Sequence, residues 1–103
     1  ASIVAIRRPL HASTVSALYD CVYDFAFFAY ITDHPALMYH LGDHDSCSVE
    51  LRTTLFSNDE DDLSRTPAAH ELEVALQGRN VAYRLEGEPG QLRMIVLMPR
   101  TGE

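Results

Sequence analysis

Residues 81–98, VAYRLEGEPGQLRMIVLM, decide the fold. Pro89-Gly90 is a strong type II turn signal, because proline presets the first corner and glycine accepts the positive φ of the second. Folding the chain there sets Leu85 against Met94, Tyr83 against Val96 and Val81 against Met98 on one face, and Glu86 against Arg93 on the other. Such an exposed acid–arginine pair adds only about 0.2–1 kcal/mol; its use here is to fix the register.

Upstream, Leu72, Val74 and Leu76 alternate with Glu71, Glu73 and Ala75. A two-residue turn at Gly78-Arg79, glycine first, sets Leu76 against Val81, Val74 against Tyr83, Leu72 against Leu85 and Glu73 against Arg84. On that matching Leu72–Gln77 reads as a strand. The competing reading is a helix from Thr66 through Gln77, which Thr66-Pro67 would start well. Ser48–Phe56 (SVELRTTLF) also alternates, with Val49, Leu51, Thr53 and Leu55 on one face and Glu50, Arg52 and Thr54 on the other. It predicts a strand with one wetter side. The β-branched run Ser2–Arg8, bounded by Pro9, predicts a short strand at an edge or closing the sheet.

The longest helical signal runs from a cap at Ser13 or Thr14 to about Ile31. Val15, Leu18, Val22, Phe25 and Ala29 form one stripe, and Tyr19, Tyr23, Phe27 and Tyr30 form a second beside it. Asp20 and Asp24 mark its one clearly wet strip. A helix so apolar around its circumference needs cover on several sides. Asp33 as a cap, Pro35 near the start and Gly42 as a stop predict a short second helix, Pro35–Leu41, followed by a loop from Asp43 to Ser46. The run Ser57–Pro67 (SNDEDDLSRTP) reads as an acidic surface loop without the glycine and spaced glutamate of a calcium loop.

Together these give a single α+β domain over residues 1–103, in the order β-α-β-β-β-β. One long apolar helix packs on a curved antiparallel sheet of four or five strands. Cystatin-like, NTF2-like and hotdog-like folds share that outline, which is an analogy of element order and fixes no function.

Composition narrows the function classes. The 103 residues carry 15 acids against 8 basic residues, a formal charge of -7. Neither a nucleic-acid backbone nor an anionic membrane surface is an expected partner for such a chain. Every basic residue is arginine, which removes side-chain Schiff-base chemistry and a P-loop lysine. The longest apolar run, Phe25–Ile31, is far below the ~18 residues of a membrane span. Cys21 and Cys47 are too few for a disulfide scaffold. The expected location is the cytoplasm, and no cofactor is expected.

Three functional readings follow. In the first, the chain is a non-catalytic binding or regulatory module, a homodimer that engages another protein. Ile95 and Leu97 are its interface candidates, since they add apolar surface to the supposedly wet face of the last strand. In the second, a hotdog-like or NTF2-like domain holds a small molecule, or hydrolyses one, in a pocket between helix and sheet. Tyr19, Tyr23, Asp24, Phe27 and Tyr30 are the lining candidates, and Asp24 or His34 is the acid–base candidate. In the third, His34, His40, His44 and Cys47 bind a transition metal, being suitable ligand types within fifteen residues that match no established zinc spacing. No nucleophile elbow, phosphate loop or dinucleotide fingerprint is present. No residue is assigned as catalytic, and the reading leans away from an enzyme.

Overall fold

The computed structural model of the chain describes residues 2–5, 10–32, 37–56 and 63–99. Its elements are β1 (Ser2–Ala5), α1 (Ala12–Ile31), β2 (Leu37–Asp43), β3 (Ser48–Phe56), a single 3₁₀ turn (Leu63–Arg65), α2 (Pro67–Gly78), β4 (Ala82–Glu88) and β5 (Gln91–Pro99). The class is α+β, with helices packed on one face of a five-stranded sheet of order β1-β2-β3-β5-β4. β2, β3, β5 and β4 each pair antiparallel with their neighbour, and β1 joins the edge parallel to β2. Parallel neighbours need a long crossover, which α1 supplies. Likewise α2 carries the chain from β3 to β4, across the place that β5 fills.

The hairpin folds as its turn chemistry requires. Gly90 has φ 80°, the second corner of a type II turn. Leu85 pairs with Met94, Tyr83 with Val96 and Glu86 with Arg93. β3 and β5 then pair over nine positions, from Ser48 opposite Pro99 to Phe56 opposite Gln91. Val49, Leu51, Thr53, Leu55, Leu92, Met94, Val96 and Met98 are all buried. Leu18, Cys21, Phe25, Phe28 and Ala29 of α1 complete the core with Ala69, Leu72 and Leu76 of α2.

Two segments differ from the sequence expectation. Leu37–Asp43 is a strand, so residues 37–41 do not form the expected short helix; residues 33–36, with its expected cap and start, lie outside the described set. Gly42 is no helix stop; it is buried within β2, opposite Glu50. Leu37, Tyr39 and Leu41 alternating with Met38, His40 and Gly42 satisfy a strand period, and the long β3 template beside them decides the outcome. Conversely, Leu72–Gln77 is helical. Thr66 caps α2, its Oγ1 accepting from the amide of Ala69 at 3.2 Å, with Pro67 in the first turn. Ala69, Leu72 and Leu76 share the buried face, while Val74, inward in the strand reading, is 54% exposed. There is thus no hairpin at Gly78-Arg79. Asn80 ends the helix at φ 56°, a left-handed conformation that asparagine tolerates. Glu73 meets no arginine across a ladder; it accepts from the Tyr83 hydroxyl at 3.2 Å.

The cap of α1 lies two or three residues before the expected Ser13 or Thr14. His11 is the N-cap, accepting from the Ser13 amide. Thr14, buried, donates its hydroxyl to the Pro99 carbonyl at 3.0 Å, fastening the helix start to the end of β5. No helix among the described residues is long and apolar enough to cross a membrane.

The two thiols test this packing. Cys21 is fully buried against the sheet, and Cys47 is exposed. Burial, then the nearby Asp24 carboxylate, pushes the Cys21 thiol from its ordinary 9.0 up to about 11. At neutral pH a thiol reagent is expected to label Cys47 quickly and Cys21 only upon unfolding. Equal labelling rates in the native protein would refute this placement. Between 9.0 and about 11 the folded state holds a proton that the unfolded state releases. Stability is therefore expected to fall as pH rises through that window.

Candidate functional site

α1 is apolar on two opposite sides, and the sheet takes only one. Phe25 and Phe28 face the sheet, their ring centroids 6.1 Å apart. The opposite side forms a crest: Tyr19 is 71% exposed, Tyr23 67%, Phe27 51% and Tyr30 81%. The rings of Tyr23 and Phe27 stack at 6.4 Å and 15°. This corrects the expected position of the stripe between helix and sheet. The seam there is filled by Leu18, Cys21, Phe25 and Phe28, and the tyrosines look outward.

Beside the crest, α1 and α2 lie antiparallel and enclose an open groove of about 240 Å³. Tyr23, Phe27 and Ile31 form one wall, and Ala68, Glu71 and Ala75 the other. Small alanines opposite large rings leave the gap. Of the five pocket candidates, Tyr23, Asp24 and Phe27 line this groove, and Tyr19 and Tyr30 do not.

Asp24 is held by a cation. Arg79, the C-cap of α2, donates Nε and Nη2 to its two carboxylate oxygens, the second at 2.9 Å. Its Nη1 also stands 3.5 Å from Asp20. The fork matches the carboxylate, and the Asp24 hydrogen bonds hold the Arg79 guanidinium's pKa above its ordinary value. An aspartate engaged in this way fixes the end of α2 to the middle of α1. It is a staple between helices.

The metal candidates separate. His40 sits on β2, opposite Arg52, on the face of the sheet away from the helices. His44 lies in the β2–β3 turn, Nδ1 3.8 Å from Glu50, which also pairs with Arg52 at 2.7 Å. Cys47 is exposed in the same turn. Asp45 organises that turn, its Oδ1 accepting from the amides of Cys47 at 2.7 Å and Ser48 at 2.8 Å. These bonds, led by the Cys47 amide, hold its carboxyl below the usual range. His34 lies outside the described residues. Among the described residues no three metal-ligating side chains converge.

The interface candidates of β5 lie on the bare face of the sheet. Ile95 is 8% exposed within the single chain. The register places Arg52 and Arg84 on either side of it, where long arginine stems shield apolar neighbours. Leu97, between Glu50 and Ala82, is half-buried.

Reading 72–77 as a strand hid two parts of the site, the α2 wall and the role of Arg79. The Thr66-Pro67 start and the spacing of Ala69, Leu72 and Leu76 carried that signal. No protein-family model matches the chain, and no curated protein matches it.

Two predictions follow from this geometry. The Arg79 side chain is 34% exposed and that of Asp24 10%, so water screens the pair, and its loss costs roughly 1 kcal/mol. Arg79→Met is expected to lower the melting temperature by roughly 4–8 °C, most of it recovered by Arg79→Lys only if a point charge suffices; an unchanged melt would dismiss the staple. For Asp45 the depressed carboxyl means that the turn is held at neutral pH and loosens as pH falls through the carboxylate range. In Asp45→Ala the amides of Cys47 and Ser48 should exchange faster at neutral pH. Exchange equal to that of the parent protein would show that the turn does not rely on this carboxylate.

Proposed function

We propose that this chain is a small non-catalytic interaction module that works as a homodimer, with the aromatic crest of α1 as its contact surface. The carrying observation is the exposure of Tyr19, Tyr23, Phe27 and Tyr30 on one helix face. A fully buried aromatic residue removes about 150–250 Å² from water, so the four rings at these exposures offer roughly 500 Å². Ile31 and Val15, also exposed, raise this to roughly 650 Å². That is at or above the roughly 300–600 Å² of the largest apolar patch on a typical monomer. Two copies pooling all of it bury at most roughly 1,300 Å², the lower end of the about 1,200–2,000 Å² of stable interfaces.

The chemistry of the groove supports the same reading. At about 240 Å³ it is smaller than the roughly 300–1,000 Å³ of small-molecule pockets, and of its two lining carboxylates, Asp24 and Glu71, the first is engaged by arginine. It suits a single ring presented by a protein surface.

Light scattering over a dilution series is expected to give twice the chain mass. The double variant Tyr23→Ser/Phe27→Ser should give a monomer with an unchanged circular dichroism spectrum, because exposed substitutions rarely disturb a fold. A monomer at every concentration of the parent protein would overturn the proposal.

A further inference from the structure

Resting on that reading, we infer that the second copy lies antiparallel across α1, with the two-fold axis meeting the crest at the height of residue 25 along the helix, so that Tyr23 of each copy meets Phe27 of the other and Tyr19 meets Tyr30.

The spacing of the crest is the first reason. In a two-fold contact residue i meets j and j meets i. Across an antiparallel helix pair this requires a stripe whose members mirror about one point. Tyr19 with Tyr30, and Tyr23 with Phe27, are both centred within half a residue of position 25. A half-residue offset is under about 1 Å along a helix axis, well within the reach of a ring.

Charge is the second reason. Each copy carries -7, yet the crest positions Val15, Ser16, Tyr19, Tyr23, Ala26, Phe27 and Tyr30 carry no charge. The crest positions themselves offer a basic partner no carboxylate and set no like charges against a second copy; the carboxylates nearest them are Asp20 and Asp24, which share Arg79, and Glu71 on the α2 wall of the groove.

The contact is partly ordered in advance. Tyr23 and Phe27 already stack within each chain, which lowers the entropy lost when they are immobilised. The groove beside them, walled by Ala68 and Ala75, gives each copy a socket for a ring of the other.

The experiment uses two single-cysteine variants in a Cys47→Ser background, treated with a short bifunctional thiol crosslinker; Cys21 is buried and stays unreactive. In the antiparallel pair Ala26→Cys lies close to its counterpart, and Ser16→Cys lies roughly 27 Å from its own along the axis at about 1.5 Å per residue. Efficient linking of Ala26→Cys with none for Ser16→Cys is the expected result. Linking of both means a parallel pair and overturns the inference. Linking of neither, in a protein that light scattering shows to be dimeric, means another face is used; it overturns the inference and leaves the homodimer standing. A monomeric parent overturns both. Should Ala26→Cys fail to fold, Tyr19→Cys and Tyr30→Cys serve instead: each lies roughly 15–18 Å along the axis from its own counterpart at about 1.5 Å per residue, so linking is expected when the two variants are mixed and not from either alone.

Discussion

The nine-residue antiparallel pairing of β3 with β5 is the contact on which the rest of the molecule hangs. Every inward position of both strands is buried, so a slip of β3 by one residue would turn Val49, Leu51 and Leu55 to the bare face together, and a slip of β5 would do the same to Met94 and Val96. β2 and β4 take their register from this pair. α1 lies over it with Phe25 and Phe28 inward, and Thr14 ties the start of the helix to the last residue of β5. α2 is held at both ends by single polar residues, Thr66 at its cap and Arg79 at its exit, and between them by Ala69, Leu72 and Leu76. The fold is therefore centred on one rigid ladder, with the helices added as a second layer.

The parts that were legible in the sequence are those where local chemistry and long-range packing agree. β3 shows one clean alternation over nine residues. The β4–β5 hairpin couples alternation to a turn that only Pro-Gly satisfies well. α1 extends far enough that its period cannot be mistaken for a strand. Residues 37–43 and 72–77 behave differently. Each is six or seven residues long with apolar side chains at every second position, and Leu72 and Leu76 fit a helical face as well as a strand face. In such a segment the neighbours decide: β3 stands beside the first, and a proline-containing cap precedes the second.

The site was less legible for a related reason. An amphipathic helix announces its inner face, but α1 is apolar almost all round, so its sequence does not say which stripe meets the sheet. Leu18, Phe25 and Ala29 lie on the expected inner face, but Cys21 and Phe28 are buried with them and Val15 is exposed. That rotation sends the tyrosines outward. Their hydroxyls explain the choice physically, since a buried phenol needs a partner and an outward one has water. Ile95 shows the converse. It is apolar on the supposedly wet side, and it is shielded by arginines two strands apart in the sheet, a cover that no reading of β5 alone reveals.

Both helices occupy one side of the sheet, so its other side, with Arg52, Arg84, Arg93, Glu50 and Glu86 in alternating rows, lies at the far pole from the crest. Two chains joined through their crests would carry a pair of such faces directed away from each other. Whatever one face grips, however weakly, the joined object would grip twice. Its hold on a repeated or clustered target would then be set by the spacing of the two faces and by local concentration, and would exceed the strength of either contact alone.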